Sequence, residues 1–212
     1  MYLPRHFASD DLARLDLLAD HDPFATVITV IDDEPFASHL PVRLTRDGSS
    51  VTVRGHWARP NPQWKRLGAQ HALCVLHGPH AYVSPRMYPD PSRRVPTWNY
   101  AVAHLRGPLR LIEEPGALLE LVGELSAHFE AGAPDGWSLA GADRSVDAMA
   151  AGIVGFEMTV ERIDLKFKLN QNHPVENVES AARALAASDD RDARTIAGWM
   201  AADVKRRRPA GG

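Results

Sequence analysis

The stretch FATVITVIDDEPFASHLPVRLTRDGSSVTVRGHW, residues 24–57, decides the fold. It is rich in β-branched residues, and Glu34-Pro35 and Asp47-Gly48 divide it into three segments. β-branched residues favour strands, and Asp-Gly pairs favour tight turns between them. We therefore expect three consecutive antiparallel strands. That arrangement is typical of a meander or a barrel and not of alternating parallel strands and helices.

Helical patterns lie on both sides of this stretch. Ser9-Asp10-Asp11 is a helix-start signal ahead of residues 12–21, and Pro115 is well placed to begin an amphipathic helix that runs to about residue 132. Residues 175–188 and 189–208 predict two further helices at the C-terminal end.

The remaining strands are predicted from shorter signals. Pro60 and Pro62 end the third strand, and residues 61–68 read as a short helix or turn. We expect two strands separated by Gly78-Pro79, a long strand over residues 97–112, and a short helix plus one strand within residues 145–172. The sum is roughly six or seven strands with peripheral helices.

The composition is that of an ordinary globular protein and excludes several classes. The chain has 212 residues, 44% of them hydrophobic and 24% charged, with a formal net charge of −3. The single cysteine, Cys74, allows no internal disulfide framework, and no long apolar run or secretory signal predicts a membrane span or export. A cytoplasmic location is therefore expected, with no membrane partner and no metal site.

Three clusters combine aromatic rings with histidines, amides and prolines. They read GHWARPNPQW (residues 55–64), HGPHAYVSPRMY (residues 77–88) and VPTWNY (residues 95–100). A hydrophobic core does not need so many polar groups beside aromatic rings, whereas a pocket for a flat, polar, phosphate-bearing ligand does. The chain has neither a Gly-rich dinucleotide motif nor a P-loop, which makes the common nucleotide-binding folds improbable.

Six motifs carry a resemblance to a known family, and they occur in one order along the chain. These are MYLPRHF (1–7), SHLPVRL (38–44), GHWARPNPQW, GPHAYVSP (78–85), VPTWNY and KLNQN (168–172). The sequence resembles the FMN-binding negative transcriptional regulators of the PaiB type. Members of that family usually read KLSQN, so Asn170 departs from the pattern but keeps its hydrogen-bonding capacity.

The resemblance implies an α+β fold dominated by β structure. This is a split β-barrel of the FMN-binding, pyridoxamine-phosphate-oxidase-like class, with peripheral and C-terminal helices. It implies FMN as the cofactor, held in grooves at the interface of a homodimer, and repression of genes for sporulation and protease production. We expect residues 1–172 to form the split-barrel domain and residues 173–212 to form a C-terminal helical extension of it.

The same resemblance assigns expected roles around FMN. The strand with Ser38, His39 and Leu40 is expected to lie along the flavin ring, while the next strand and turn reach the phosphate, with Arg59 as its best ligand. Neighbouring amides and rings supply further contacts, and the VPTWNY segment extends to the partner's flavin. The complete expected set is Ser38, His39, Leu40, His56, Ala58, Arg59, Asn61, Gln63, Trp64, Lys65, Trp98, Asn99 and Tyr100.

Several functional readings stay open at this point. A dimeric FMN-binding regulator is the first, a flavin-dependent oxidoreductase or flavin reductase is the second, and a haem-binding split barrel is the third. The sequence orients no acid or base against another group, so it identifies no catalytic residue. DNA is an expected partner only through the basic run Lys205–Arg208, which equally fits a solvated helix end whose cations complement the helix dipole.

Overall fold

A computed structural model describes residues 1–68, 71–139 and 150–207. Within these residues the chain forms eight β-strands and four α-helices. The strands are β1 (Ala8–Ser9), β2 (Phe24–Ile31), β3 (Glu34–Asp47), β4 (Ser50–Ala58), β5 (His71–Val83), β6 (Thr97–Ile112), β7 (Ile153–Thr159) and β8 (Arg162–Lys168). The helices are α1 (Leu12–His21), α2 (Pro115–Glu130), α3 (Val175–Ala186) and α4 (Arg191–Arg207).

The β-dominated α+β class and all four of these helices agree with the sequence prediction. None of the helices in the described ranges is long and apolar enough to cross a membrane. The predicted short helix lies mostly over residues 145–149, which are outside the described residues.

Three strand predictions were wrong. The first turn uses Asp32 and Asp33, both in the left-handed region at φ 50° and 65°, and not Glu34-Pro35, which belong to β3. Two positive-φ residues match the hairpin turn whose twist suits the flanking strands. Residues 153–168 form two strands, β7 and β8, where one was expected.

β5 runs unbroken through Gly78-Pro79, where a break between two strands was predicted. A side chain at Gly78 would place its Cβ 2.3 Å from Leu18 Cδ2 and 2.9 Å from the carbonyl oxygen of Ala101. Close approach of neighbouring atoms, and not a turn, therefore requires glycine at this position.

The chain divides into two compact units, each built from separated segments. The terminal unit comprises residues 1–21, 77–103 and the described residues from Asp164 onward, and the central unit comprises the described residues of 22–76 and 104–163. β5 and β6 each contribute residues to both units.

Antiparallel strands make up the central unit. β2 pairs with β3 from Phe24↔Pro41 to Ile31↔Glu34, β3 pairs with β4, and β4 pairs with β7. β2 also pairs with β5, and β7 also pairs with the end of β6. Because side chains alternate along a strand, Val51, Val53 and Trp57 of β4 are all buried on one face.

The core of the central unit lies where these strands meet α2. Trp57 is fully buried, and its ring lies 4.5 Å from the ring of Phe156 on β7. Leu118, Leu121 and Leu125 recur at helical spacing along α2 and form a cluster with Ile112 of β6. Burying a leucine or phenylalanine side chain contributes about 1.5–3 kcal/mol to stability. The contact between Trp57 and Phe156 therefore holds β4 against β7 next to the turn that follows β4.

In the terminal unit, β1 pairs with β8 and helices flank the sheet. Ala8 pairs with Lys166, and α1 buries Leu15 and Leu18. The ring of Phe167 on β8 lies 5.2 Å from the ring of Trp199 on α4. α3 and α4 pack against each other along their length.

Candidate functional site

The turn after β4, which we call the β4 turn (residues 59–66), is organised by the fully buried side chain of Gln63. Its two Nε2–H groups are shared among three acceptors, the carbonyl oxygens of Val27 at 3.0 Å and Phe36 at 3.1 Å and Thr29 Oγ1 at 3.0 Å. Its Oε1 accepts a hydrogen bond from Trp57 Nε1 at 2.9 Å. One amide thus ties the turn to β2, β3 and β4, and both of its polar atoms are engaged within the protein.

Asn61 makes a second connection between the β4 turn and β3. Its Nδ2 donates to Ser38 Oγ at 2.9 Å, and its Oδ1 accepts from the Gln63 backbone N–H at 2.9 Å. The second contact is a local side-chain turn of the kind that asparagine favours. Ser38 is 7% exposed. These two residues of the expected FMN set therefore hydrogen-bond to each other in the structure, at a largely buried position.

Arg59 is half-buried and held by backbone carbonyls. Its Nε donates to the carbonyl oxygen of Ala151 at 2.6 Å, and its Nη2 donates to that of Ile153 at 2.9 Å. Nη1 lies 3.8 Å from Glu113 Oε2. A guanidinium has five N–H donors, so these two hydrogen bonds fix the side chain. Three donors make no hydrogen bond to these carbonyls, and Glu113 pairs with the nitrogen that carries two of them.

Trp64 and Lys65 complete the β4 turn. Trp64 Nε1 donates to the carbonyl oxygen of Arg59 at 3.0 Å, which holds the half-buried indole over the turn. The Arg59 guanidinium lies 5.8 Å, and the exposed Lys65 ammonium 5.5 Å, from the centre of that ring. The turn therefore places two cations and an aromatic face together.

The predicted residues of β3 alternate along the strand. Ser38 is buried and His39 is exposed, and Leu40 is half-buried. His39 Nδ1 lies 3.1 Å from Thr26 Oγ1 on β2. His39 therefore presents its ring on the open face of the sheet, opposite to the face that Ser38 occupies.

His56 and Ala58 lie at the end of β4. Burial lowers the pKa of the half-buried His56, so its imidazole is neutral at pH 7. Its Nδ1 is buried and has no hydrogen-bond partner among the described residues. Ala58, the last residue of β4, is exposed.

Trp98, Asn99 and Tyr100 are on β6 in the terminal unit and do not share one face. Trp98 is 52% exposed, and Tyr100 is half-buried under Lys166, whose ammonium lies 5.0 Å from its ring centre. Asn99 is fully buried on the opposite face, with Nδ2 3.3 Å from Met200 Sδ. The two rings share a face as predicted from their spacing, and Asn99 faces α4.

Asn170, Gln171 and Asn172, the amide cluster of the KLNQN motif, follow β8. Gln171 closes the turn, because its Nε2 donates to the carbonyl oxygen of Phe167 at 2.5 Å. Asn170 has φ 64° and donates from Nδ2 to the hydroxyl of Tyr88 at 2.9 Å. Asn170 and Asn172 also line a cavity, to which we return below.

The structure thus gathers ten of the predicted residues on β3, β4 and the β4 turn of the central unit, and three on β6 of the terminal unit. Their contacts with FMN stay a prediction. No group of three or more His, Cys, Asp or Glu side chains among the described residues is arranged to hold a metal ion.

Comparison with known sequences agrees with the resemblance stated above. A family model described as "Putative FMN-binding domain" matches residues 1–162. The protease synthase and sporulation protein PAI 2 of Bacillus subtilis is 29% identical over 97% of this chain and 99% of its own length. An uncharacterized protein of Emericella nidulans is 31% identical over 81% of this chain and 84% of its own.

Comparison with solved structures confirms the split-barrel fold class. The FAD and heme binding protein of Mycobacterium smegmatis superposes with a TM-score of 0.57 at 21% identity, covering 76% of this chain and 73% of that one. The flavocytochrome Anf3 of Azotobacter vinelandii gives a TM-score of 0.59 at 16% identity, covering 78% and 72%. At these identities the likeness shows the fold alone.

Proposed function

The chain belongs to the FMN-binding domain family, with FMN as its cofactor, and from this premise we propose that it is a homodimeric, cytoplasmic negative regulator of transcription. The regulatory role is carried by the similarity to PAI 2 over 97% of this chain, since that relative is named for protease synthesis and sporulation. The homodimer follows from the expected flavin site between two copies of the chain.

The residues of the central unit suit the chemistry of FMN. A phosphate needs cationic and N–H donors, a ribityl chain needs amides and hydroxyls, and a flavin ring needs an aromatic or apolar wall. The β4 turn offers cations from Arg59 and Lys65 and a ring from Trp64. The unpartnered Nδ1 of His56 is a buried polar atom, and such atoms ordinarily find a partner. When bound, FMN supplies redox chemistry of its own.

Within this site we infer that Arg59 anchors the phosphate. Carbonyls of Ala151 and Ile153 hold two of its N–H groups and fix the side chain, so little side-chain entropy is lost when the other donors meet an anion. Trp64 covers the same guanidinium. Gln63 holds the turn in place, because its side-chain amide hydrogen-bonds to residues of β2, β3 and β4.

Titration with FMN and with riboflavin tests this anchor. Arg59→Ala should weaken FMN binding by about 1–3 kcal/mol, or roughly 5- to 150-fold, as expected for a lost charge-assisted contact. Riboflavin has no phosphate, so its affinity should change little. Arg66→Gln is the matched control, since Arg66 lies on the same turn, is exposed and pairs with Asp32. Equal loss for both flavins in Arg59→Ala would show that Arg59 does not hold the phosphate.

The regulatory and dimeric parts are tested separately. Light scattering of the FMN-loaded chain should give twice the monomer mass, and the chain should shift DNA from its own upstream region at physiological salt. A monomer, or no shift with and without FMN, would refute the corresponding part. Bleaching of bound flavin by NAD(P)H, without any DNA shift, would instead support the second reading, a flavin-dependent oxidoreductase.

A further inference from the structure

A cavity of about 320 Å³ in the terminal unit gathers positive charge. It lies where the loop before β6 meets the end of β8. We call it the basic pocket and define it by its polar lining, which comprises Arg93, Arg94, Thr97, Lys168, Asn170, Asn172 and His173. None of these residues belongs to the set expected to bind FMN.

Lys168 is fixed at the wall of the basic pocket. Its ammonium donates to Thr97 Oγ1 at 2.5 Å and to the carbonyl oxygen of Trp98. Burial and then the neighbouring Lys166 lower the pKa of this half-buried group. Both hydrogen bonds are to neutral acceptors, so the side chain is held in place while its charge stays uncompensated.

Arg94 adds a second cation with spare donors. Its Nε is buried and has no hydrogen-bond partner among the described residues, although buried donors are ordinarily paired. The guanidinium carbon lies 5.8 Å from the ring centre of Tyr88. The same ring stacks on His173, with centres 5.5 Å apart and an interplanar angle of 15°. One tyrosine therefore orients two of the lining residues.

Negative charge does not balance this group. In the described parts of the chain, neither Arg93, Arg94 nor Lys168 forms an ion pair within 4.0 Å. Asp90 is the carboxylate that interacts with Arg94, but hydrogen bonds from Ser92 are the main reason that its pKa is lowered.

His173 lies beside the same cations. Burial, and then the charges of Arg94 and Lys168, lower the pKa of its imidazole, and an anion between these groups would offset the effect of the two cations.

We propose that the basic pocket binds an oxyanion, the phosphate or carboxylate group of a small ligand. Arg94 and Lys168 supply the charge, and Asn170 and Thr97 supply neutral polar contacts. The volume exceeds that of a phosphate ion and leaves room for part of the molecule that carries it. Because Arg59 is proposed to hold the flavin phosphate, we assign this oxyanion to a second ligand, and the measurements below test that assignment against the flavin phosphate itself.

Orthophosphate is the first probe, titrated into the full chain at constant ionic strength with calorimetric detection. Wild-type protein should bind it saturably, and Arg94→Gln and Lys168→Met should each weaken binding about tenfold or more. Arg86→Gln is the matched control, because it removes one exposed positive charge from a nearby 3₁₀ turn. Unsaturable binding, or an equal loss in the control, would overturn the proposal.

A readout on the wild-type protein keeps the test independent of how the variants fold. An anion in the basic pocket favours the charged form of His173, so phosphate should raise the pKa of this imidazole in an NMR titration. Sodium chloride at matched ionic strength is the control. A His173 pKa that responds equally to both salts would contradict the proposal.

Flavin affinities then identify the source of the anion. If Arg94→Gln and Lys168→Met weaken FMN but spare riboflavin, the flavin phosphate occupies the basic pocket, and both the second ligand and the assignment of that phosphate to Arg59 are wrong. If both variants bind FMN normally and lose orthophosphate, a second anionic ligand occupies it. Failure of the wild-type chain to bind any flavin would refute the proposed cofactor function, whereas the orthophosphate result would stand on its own.

Discussion

Replacing Gln63 by methionine should destabilise the protein strongly although the side-chain volume hardly changes. The substitution leaves Trp57 Nε1 as a buried donor without its acceptor, which costs about 1–3 kcal/mol. It also removes the two N–H groups that Val27, Thr29 and Phe36 share, and each hydrogen bond lost costs about 0.5–1 kcal/mol when the acceptor keeps other partners. We expect a total loss of about 2–5 kcal/mol.

Urea unfolding followed by tryptophan fluorescence measures this loss. A chain of this size has a slope of about 2–3 kcal/mol per molar urea, so the midpoint should fall by about 1 M or more with an unchanged slope. Lys65→Met is the matched control, because Lys65 is exposed on the same turn and should shift the midpoint very little. A loss below about 0.5 kcal/mol for Gln63→Met would refute the assigned role of the amide.

Gln63→Glu separates the donor and acceptor functions of this side chain. A carboxylate keeps the acceptor for Trp57 but faces the carbonyls of Val27 and Phe36 without a proton to share. Burial raises the folded-state pKa of such a carboxyl above its unfolded value. The variant should therefore lose stability relative to wild type as pH rises from about 4 to 7, and a pH-independent difference would contradict the assignment.

Three further predictions use urea unfolding or thiol labelling. Gly198→Ala in α4 should raise the free energy of unfolding by about 0.5–1 kcal/mol, because nothing lies within 4 Å of the added carbon. Gly107→Ala should lower it by about 3 kcal/mol or prevent folding, because the added Cβ would lie 1.8 Å from the carbonyl oxygen of Thr159. Equal effects of the two substitutions would contradict this reasoning. Burial raises the pKa of the Cys74 thiol to about 12, so the native thiol should resist an aromatic disulfide reagent at pH 8 and react fully in urea; rapid native labelling would be evidence against it. Because burial lowers the folded-state pKa of His56, stability should fall as pH drops below about 6.5, and His56→Phe should reduce that slope.

The parts of the fold that sequence predicts well are those specified by local signals. α1 follows its Ser-Asp-Asp start, α2 begins at Pro115, and both C-terminal helices carry an apolar face at helical spacing. The hairpin turn at Gly48 has the positive φ that Asp-Gly predicts. These elements depend on residues close together in the chain.

Predictions failed where distant residues decide the outcome. Gly78 looks like a strand break, and only the closeness of Leu18 and Ala101 shows that glycine is needed inside a strand. The Arg93-Arg94 pair lies in a proline-rich loop, and no local pattern there indicates a cavity. The adjacent VPTWNY motif draws attention to this part of the chain, but only the fold brings Lys168 into the same cavity as the two arginines.

The candidate site shows the same division. Composition and spacing located the β4 turn, since amides and tryptophans between prolines are unusual in a plain loop. They could not show that Gln63 is fully buried, because its acceptors come from β2 and β3, more than twenty-five residues earlier. Nor could they show that Arg59 rests on carbonyls of Ala151 and Ile153, about ninety residues later in the chain.

The segmented make-up of the terminal unit has a consequence for protein synthesis. Its first segment ends at His21, but the strand that pairs with β1 starts only at Arg162. β1 must therefore wait for its partner strand until about 150 further residues have been synthesised, which at 5–20 residues per second takes about 7–30 s. During this interval Ala8 and Ser9 lack their strand partners, whereas Leu18 of α1 can pack against Gly78 as soon as β5 has been made.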